Sequence, residues 1–219
     1  MTAQPIPYIT EEEYLQHERV NTSKHEYYDG HIYAMAGASE EHNLIAMNIA
    51  AILRARVRGS TCRAYPSDMR LRVLQTGLNT YPDFTVVCGP PQFTNPEKRD
   101  TLTNPTLIIE ILSPSTESYD RGEKFQHYRT ISTLQEYILV AQNKYRIERF
   151  VRNESNEWVL SDIAGVEASL LLHTLQTQIP LAEIYEQVAI RSDITLLREA
   201  KSGGSSEVTE EEGAGGGVV

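Results

Sequence analysis

The segment Leu107-Ile108-Ile109-Glu110-Ile111-Leu112 sets the tightest limit on what this chain can fold into. Side chains of a strand point alternately to opposite sides, so a run with one polar member has no wet face. It reads as a central strand covered above and below, which demands packed layers on both sides of a sheet. The same segment poses a chemical question. An ionised carboxylate at Glu110 must be neutralised, paired or bound to a cation. One answer is structural, an ion pair with Arg70 or Arg72; the other is a functional site.

The rest of the pattern supplies elements to cover that strand. Thr10 and Glu13 form a capping box, with Ile9 and Tyr14 as its staple, and predict a helix over 10–19. Glu26-Tyr27-Tyr28 and His31-Ile32-Tyr33-Ala34-Met35, joined by Asp29-Gly30, predict a hairpin. Ser39 caps a helix with Leu44, Ile45, Ile49, Ile52 and Leu53 on one face, ending near Gly59. Strands are expected at 61–65, 68–74 and 82–88. In the second, Met69, Leu71 and Val73 alternate with Arg70 and Arg72, which predicts one buried and one wet face. A loop over 89–105, a helix at about 120–130, a strand at 136–141, a hairpin of 144–152 with 157–163, and a helix at 181–189 complete the order. The expected fold is an α/β (α+β) mixed sheet with flanking helices, one domain over 1–192. The Ser-, Gly- and Glu-rich stretch 193–219 reads as a flexible acidic tail.

Composition narrows the function. In 219 residues no apolar segment approaches the roughly 20 needed to cross a bilayer, and Met1–Pro7 carries no secretory signal. A cytoplasmic protein with no membrane partner is expected. Cys62 and Cys88 make no disulfide framework and too few sulfur ligands for a four-cysteine zinc site. A net charge of −10 opposes binding of nucleic acid by bulk charge. Yet Arg54, Arg56, Arg58, Arg63, Arg70 and Arg72 face a single acid, Asp68, over residues 54–72. They are either a local positive surface or the solvated faces of a helix and a strand.

Asp83 follows Pro82 at the opening of a strand, where an Asp often only caps a turn. Together with Glu110 it becomes more, because two carboxylates at the ends of adjacent strands can hold a hard divalent cation. Lys124 reads most simply as an i, i+4 partner of Asp120. His42 fits a helix face and Asp68 a turn before a strand. The histidines show no zinc spacing, and there is no phosphate-cradling glycine loop, nucleophile elbow or dinucleotide fingerprint.

Ser67-Asp68-Met69-Arg70, Tyr81-Pro82-Asp83, Glu110-Ile111-Leu112-Ser113-Pro114-Ser115-Thr116, Asp120-Arg121 with Lys124 and Tyr128, and Glu136-Tyr137 stand in one order. So do Glu26-Tyr27-Tyr28-Asp29-Gly30 and Met35-Ala36-Gly37-Ala38-Ser39 before them. In this order the chain resembles the Uma-two family of the PD-(D/E)xK nuclease superfamily, over about residues 8–190. The resemblance implies a restriction-endonuclease-like core and Mg2+-dependent hydrolysis of DNA phosphodiesters, with Mn2+ able to substitute. It makes Asp83 and Glu110 the metal ligands. Leu112 stands where the superfamily has its lysine, and Lys124 of the following helix is the candidate replacement. Glu26, His42 and Asp68 match as accessory positions, and a homodimer is the implied assembly. Arg54, Arg56, Arg58, Arg70 and Arg72 are the expected DNA contacts. The alternative is a catalytically inactive nuclease-fold module that binds nucleic acid or protein; a smaller phosphodiester substrate is a third reading.

Overall fold

A computed structural model describes residues 8–190, so the expected tail from 193 lies outside the described residues. Helix α1 (Glu11–Glu18) starts at the Thr10 capping box. It is followed by β1 (His25–Tyr28), β2 (His31–Ala34) and helix α2 (Glu40–Arg56). Strands β3 (Cys62–Pro66), β4 (Arg70–Arg72), β5 (Asn79–Thr80), β6 (Phe84–Cys88), β7 (Thr101–Leu102) and β8 (Leu107–Leu112) come next. Helices α3 (Glu117–Arg121) and α4 (Glu123–Tyr128) lead to β9 (Glu136–Ala141), β10 (Arg146–Arg152) and β11 (Trp158–Ala164). Strands β12 (Ser169–Leu172) and β13 (Thr177–Pro180) and helix α5 (Leu181–Ile184) close the described chain.

The strands divide between sheets. Six run in the order β11-β10-β9-β8-β6-β3, with β8 parallel to β9 and antiparallel to β6. Five short ones form a second sheet, β2-β1-β5-β4-β7, and β12 pairs with β13. As its composition requires, all of β8 is buried. Its odd-numbered residues join Ile45, Ile49 and Leu53 of α2 and the β12–β13 hairpin in one core. Ile108 and Leu112 join Phe125 and Tyr128 of α4 and residues of β4 and β7 in another. The mixed α/β architecture is therefore the expected one, built as layers on both faces of the long sheet.

Three expectations are corrected. Arg70 does not lie on a wet face: the Tyr14 ring of α1 lies over it, and it is buried against Thr101, Tyr81 and Asp100. Arg72 is tied to Glu11 of α1 at 2.7 Å, so neither arginine pairs with Glu110. Cys62 and Cys88 are cross-strand neighbours in the β3–β6 register and are joined in a disulfide. The expected helix over 120–130 is two helices, broken at Gly122, where an added Cβ would lie 3.0 Å from the Ser118 carbonyl. The Asp29-Gly30 turn is as expected, with both residues at positive φ and the Tyr8 ring packed where a Gly30 side chain would stand.

Candidate active site

The site grows from the point where β6 and β8 part. Their pairing ends with Phe84 opposite Ile109, so beyond it the β8 backbone lacks a strand on that side. The Asp83 carboxylate fills the place: Oδ2 accepts from the Ile111 N–H at 2.7 Å. In return the Asp83 N–H donates to Glu110 Oε2 at 3.2 Å. This reciprocal pair fixes two carboxylates from two strands at one corner of the sheet.

Glu110 shares its face with Ile108 and Leu112 and so points toward α4. There the Tyr128 hydroxyl donates to Oε1 at 2.9 Å, and Lys124 Nζ lies 3.0 Å from the same oxygen. Lys124 Nζ also lies 3.2 Å from Asp120 and 3.3 Å from Glu26. Glu26 arrives from the other sheet and accepts from the Thr80 hydroxyl. His42, in the first turn of α2, places Nε2 3.1 Å from Asp83 Oδ1. The Glu110 and Lys124 side chains are 4% and 7% exposed, whereas Asp83 is 19% exposed and forms the opening.

The charges do not balance: Glu26, Glu110 and Asp120 surround one ammonium, and Asp83 adds a fourth carboxylate beyond Glu110. Burial, with Asp120 and Asp83 close by, pushes the Glu110 carboxyl up to about 8 even against Lys124. Burial alone would lower the Lys124 ammonium, but Glu110, Tyr128, Glu26 and Asp120 hold it well above its ordinary value. Burial and Glu110 together keep Tyr128 a phenol and therefore a donor. The lysine stays charged and the cluster keeps an excess of negative charge.

The donor set suits a small hard dication. Among the described residues no three His, Cys, Asp or Glu side chains form a ready-made cage. Mg2+ does not need one, since it retains waters and is commonly held by one or two carboxylates plus substrate phosphate. Asp83 and Glu110 are two such carboxylates, and Asp83 is the one that opens to solvent.

Comparison with known proteins decides the family. The Uma2 family model, described as "Putative restriction endonuclease", matches residues 11–182. The chain belongs to the Uma2 family. Two relatives from Synechocystis sp. (strain ATCC 27184 / PCC 6803 / Kazusa) are each 37% identical to it. One, "Uncharacterized protein slr1290", matches over 71% of this chain and 80% of its own length. The other, "Uncharacterized protein sll1609", matches over 74% and 91%. A crystal structure from Anabaena variabilis, described as "a putative nuclease belonging to DUF820", shares the fold with a TM-score of 0.68 at 16% identity, over 84% of this chain and 99% of that one.

In this Uma2 chain the structure thus gathers Asp83, Glu110, Lys124, Glu26 and His42. Asp68 lies elsewhere, exposed and bound to Lys24 at 3.0 Å. Arg70 and Arg72 are held by their own acids. Arg54, Arg56 and Arg58 are exposed at the C-terminal end of α2, roughly 20 Å along the helix from His42. Two members of the site escape the sequence reading. Asp120 and Tyr128 stand in the motif that carries the resemblance but receive no role from it: Asp120 looks like an ordinary surface partner of Lys124 until its burial is seen, and Tyr128 carries no charge.

Proposed function

We propose that this Uma2 protein is a Mg2+-dependent nuclease acting on DNA. One observation carries the reading: the carboxylates of Asp83 and Glu110 interlock where two strands part, with the Lys124 ammonium 3.0 Å from Glu110. Asp83 and Glu110 would hold the cation, which when bound lowers the pKa of its water and polarises the scissile phosphoryl group. Lys124 offsets the charge that develops on the phosphoryl oxygens, at a position fixed in advance by Asp120 and Glu26. Tyr128 holds one oxygen of Glu110 and leaves the other facing Asp83. His42 and the Ile111 N–H fix both oxygens of Asp83, so the ligand is oriented before substrate arrives.

The experiment is a plasmid-nicking assay with full-length protein in Mg2+ or Mn2+. Wild type should nick, and Asp83→Ala and Glu110→Ala should both abolish it. Mutants that cut as fast as wild type would overturn the assignment. The non-cutting module is separated by the same assay together with a melting curve. An intact site gives a metal-dependent rise in Tm that both variants lose.

A further inference from the structure

Glu26 has a neighbour that the site leaves unused. In the β1–β2 hairpin Glu26 stands directly opposite Tyr33, and Tyr28 opposite His31. Directly paired residues share a face, with Cβ atoms about 5 Å apart. The opposite face is covered, since Tyr27 stacks on Tyr14 of α1 with ring centroids 5.0 Å apart. On the Glu26 face, α4 covers only part: Lys124 meets Glu26, and His127 packs edge-on against Tyr28 at 4.6 Å. Beyond them Tyr33 is 53% exposed, and His31 is exposed with Nδ1–H donating to the Asp29 carbonyl at 2.8 Å. Two rings, one of them pinned, thus lie bare on the outer strand of the five-stranded sheet, one strand's width from the Glu26 carboxylate and on the side where Lys124 links it to Glu110.

We infer that Tyr33 and His31 form a stacking shelf for unpaired bases of a single DNA strand whose phosphodiester enters at Asp83. This rests on the nuclease reading and names its substrate class. Three observations favour a single strand over a duplex. A paired base offers no free ring face to Tyr33, whereas an unpaired one does. The acidic groups sit below the surface, so a flexible strand reaches them where a stiff duplex does not. The chain carries a net charge of −10; among its exposed arginines, Arg54, Arg56 and Arg58 lie at or just past the far end of α2, Arg19 is paired with Asp100, and Arg99 and Arg129 lie over Phe93 and Phe125. Stacking on exposed rings adds affinity that so acidic a chain does not gain from bulk charge.

The test uses the full-length protein with one labelled oligonucleotide, presented alone or annealed to its complement. Binding is read by anisotropy in Ca2+ and cleavage in Mg2+. Wild type should bind and cut the lone strand in preference to the duplex. Tyr33→Ala should weaken strand binding about tenfold, and Tyr33→Phe should retain it. Tyr33 is exposed, so both variants should melt with wild type. Equal binding of duplex and strand, an indifferent Tyr33→Ala, or a Tyr33→Phe as weak as Tyr33→Ala would each overturn the shelf. The two readings fail separately. Asp83-dependent cleavage that ignores Tyr33→Ala leaves the nuclease and removes the shelf; Tyr33-dependent strand binding without cleavage of either form does the reverse.

Discussion

Glu110 and Lys124 each make the other tolerable, and this gives the site a definite response to pH. The Glu110 carboxyl, ordinarily near 4.5, is raised to about 8. A raised carboxyl means that the folded state holds a proton which the unfolded state has released, so metal-free stability falls as pH climbs from 4.5 toward 8. A cation at Asp83 and Glu110 displaces that proton. The Tm increase produced by Mg2+ should therefore be larger at pH 8 than at pH 6, as differential scanning fluorimetry would show. An equal increase at both would mean that Glu110 is not the ligand. Lys124→Met would leave three buried carboxylates facing one another. It should cost about 3 kcal/mol at pH 8, less at pH 6 where Glu110 already holds its proton, and lower cleavage by about 100-fold. Denaturant melts at both pH values and single-turnover rates would measure this. Asp83 and Glu110 are legible in the sequence because polar residues interrupt an otherwise apolar context. Asp120 is not, because an i, i+4 Asp–Lys pair has the same spacing whether exposed or buried.

Elements explain most of what the sequence concealed. The β12–β13 hairpin turns through Gln176 at φ 48°, a left-handed position with no glycine to mark it. The β3–β6 pairing brings together two cysteines 26 residues apart, a proximity visible only once the register is known. This cross-link ties an outer strand to the strand that Asp83 opens. In the chain-entropy picture a loop of this length contributes about 3 kcal/mol. Reduction should lower Tm by several degrees, and a Cys62→Ser, Cys88→Ser double variant should melt at the reduced value with or without reductant. On β9, beside β8, Glu136 is a contrasting buried carboxylate. It accepts from the backbone N–H groups of His173 and Thr174 at 3.0 and 2.9 Å and pins the hairpin rather than serving chemistry.

The whole molecule is where single-strand patterning reaches its limit. Continuous burial of β8 is readable from six letters, whereas the existence of a second sheet is not, since its strands are two to four residues long. Tyr14 of α1 lies over the Arg70 side of β4 and the core covers its Leu71 side, and so Arg70 is internal although it alternates as a surface residue would. What survives of the basic segment is exposed Arg63 on β3 and the exposed set Arg54, Arg56 and Arg58 at and just past the far end of α2. Replacing all three with Ala should weaken DNA binding and reduce the slope of log affinity against log salt, measured in a binding titration. An unchanged slope would show that the patch does not meet phosphates. Leu112 shares a core with Phe125 and Tyr128, and the ammonium comes instead from the six-residue α4. The positive member of the cluster and its two interlocked acids therefore belong to different layers, and the packing of helix on sheet is what assembles them.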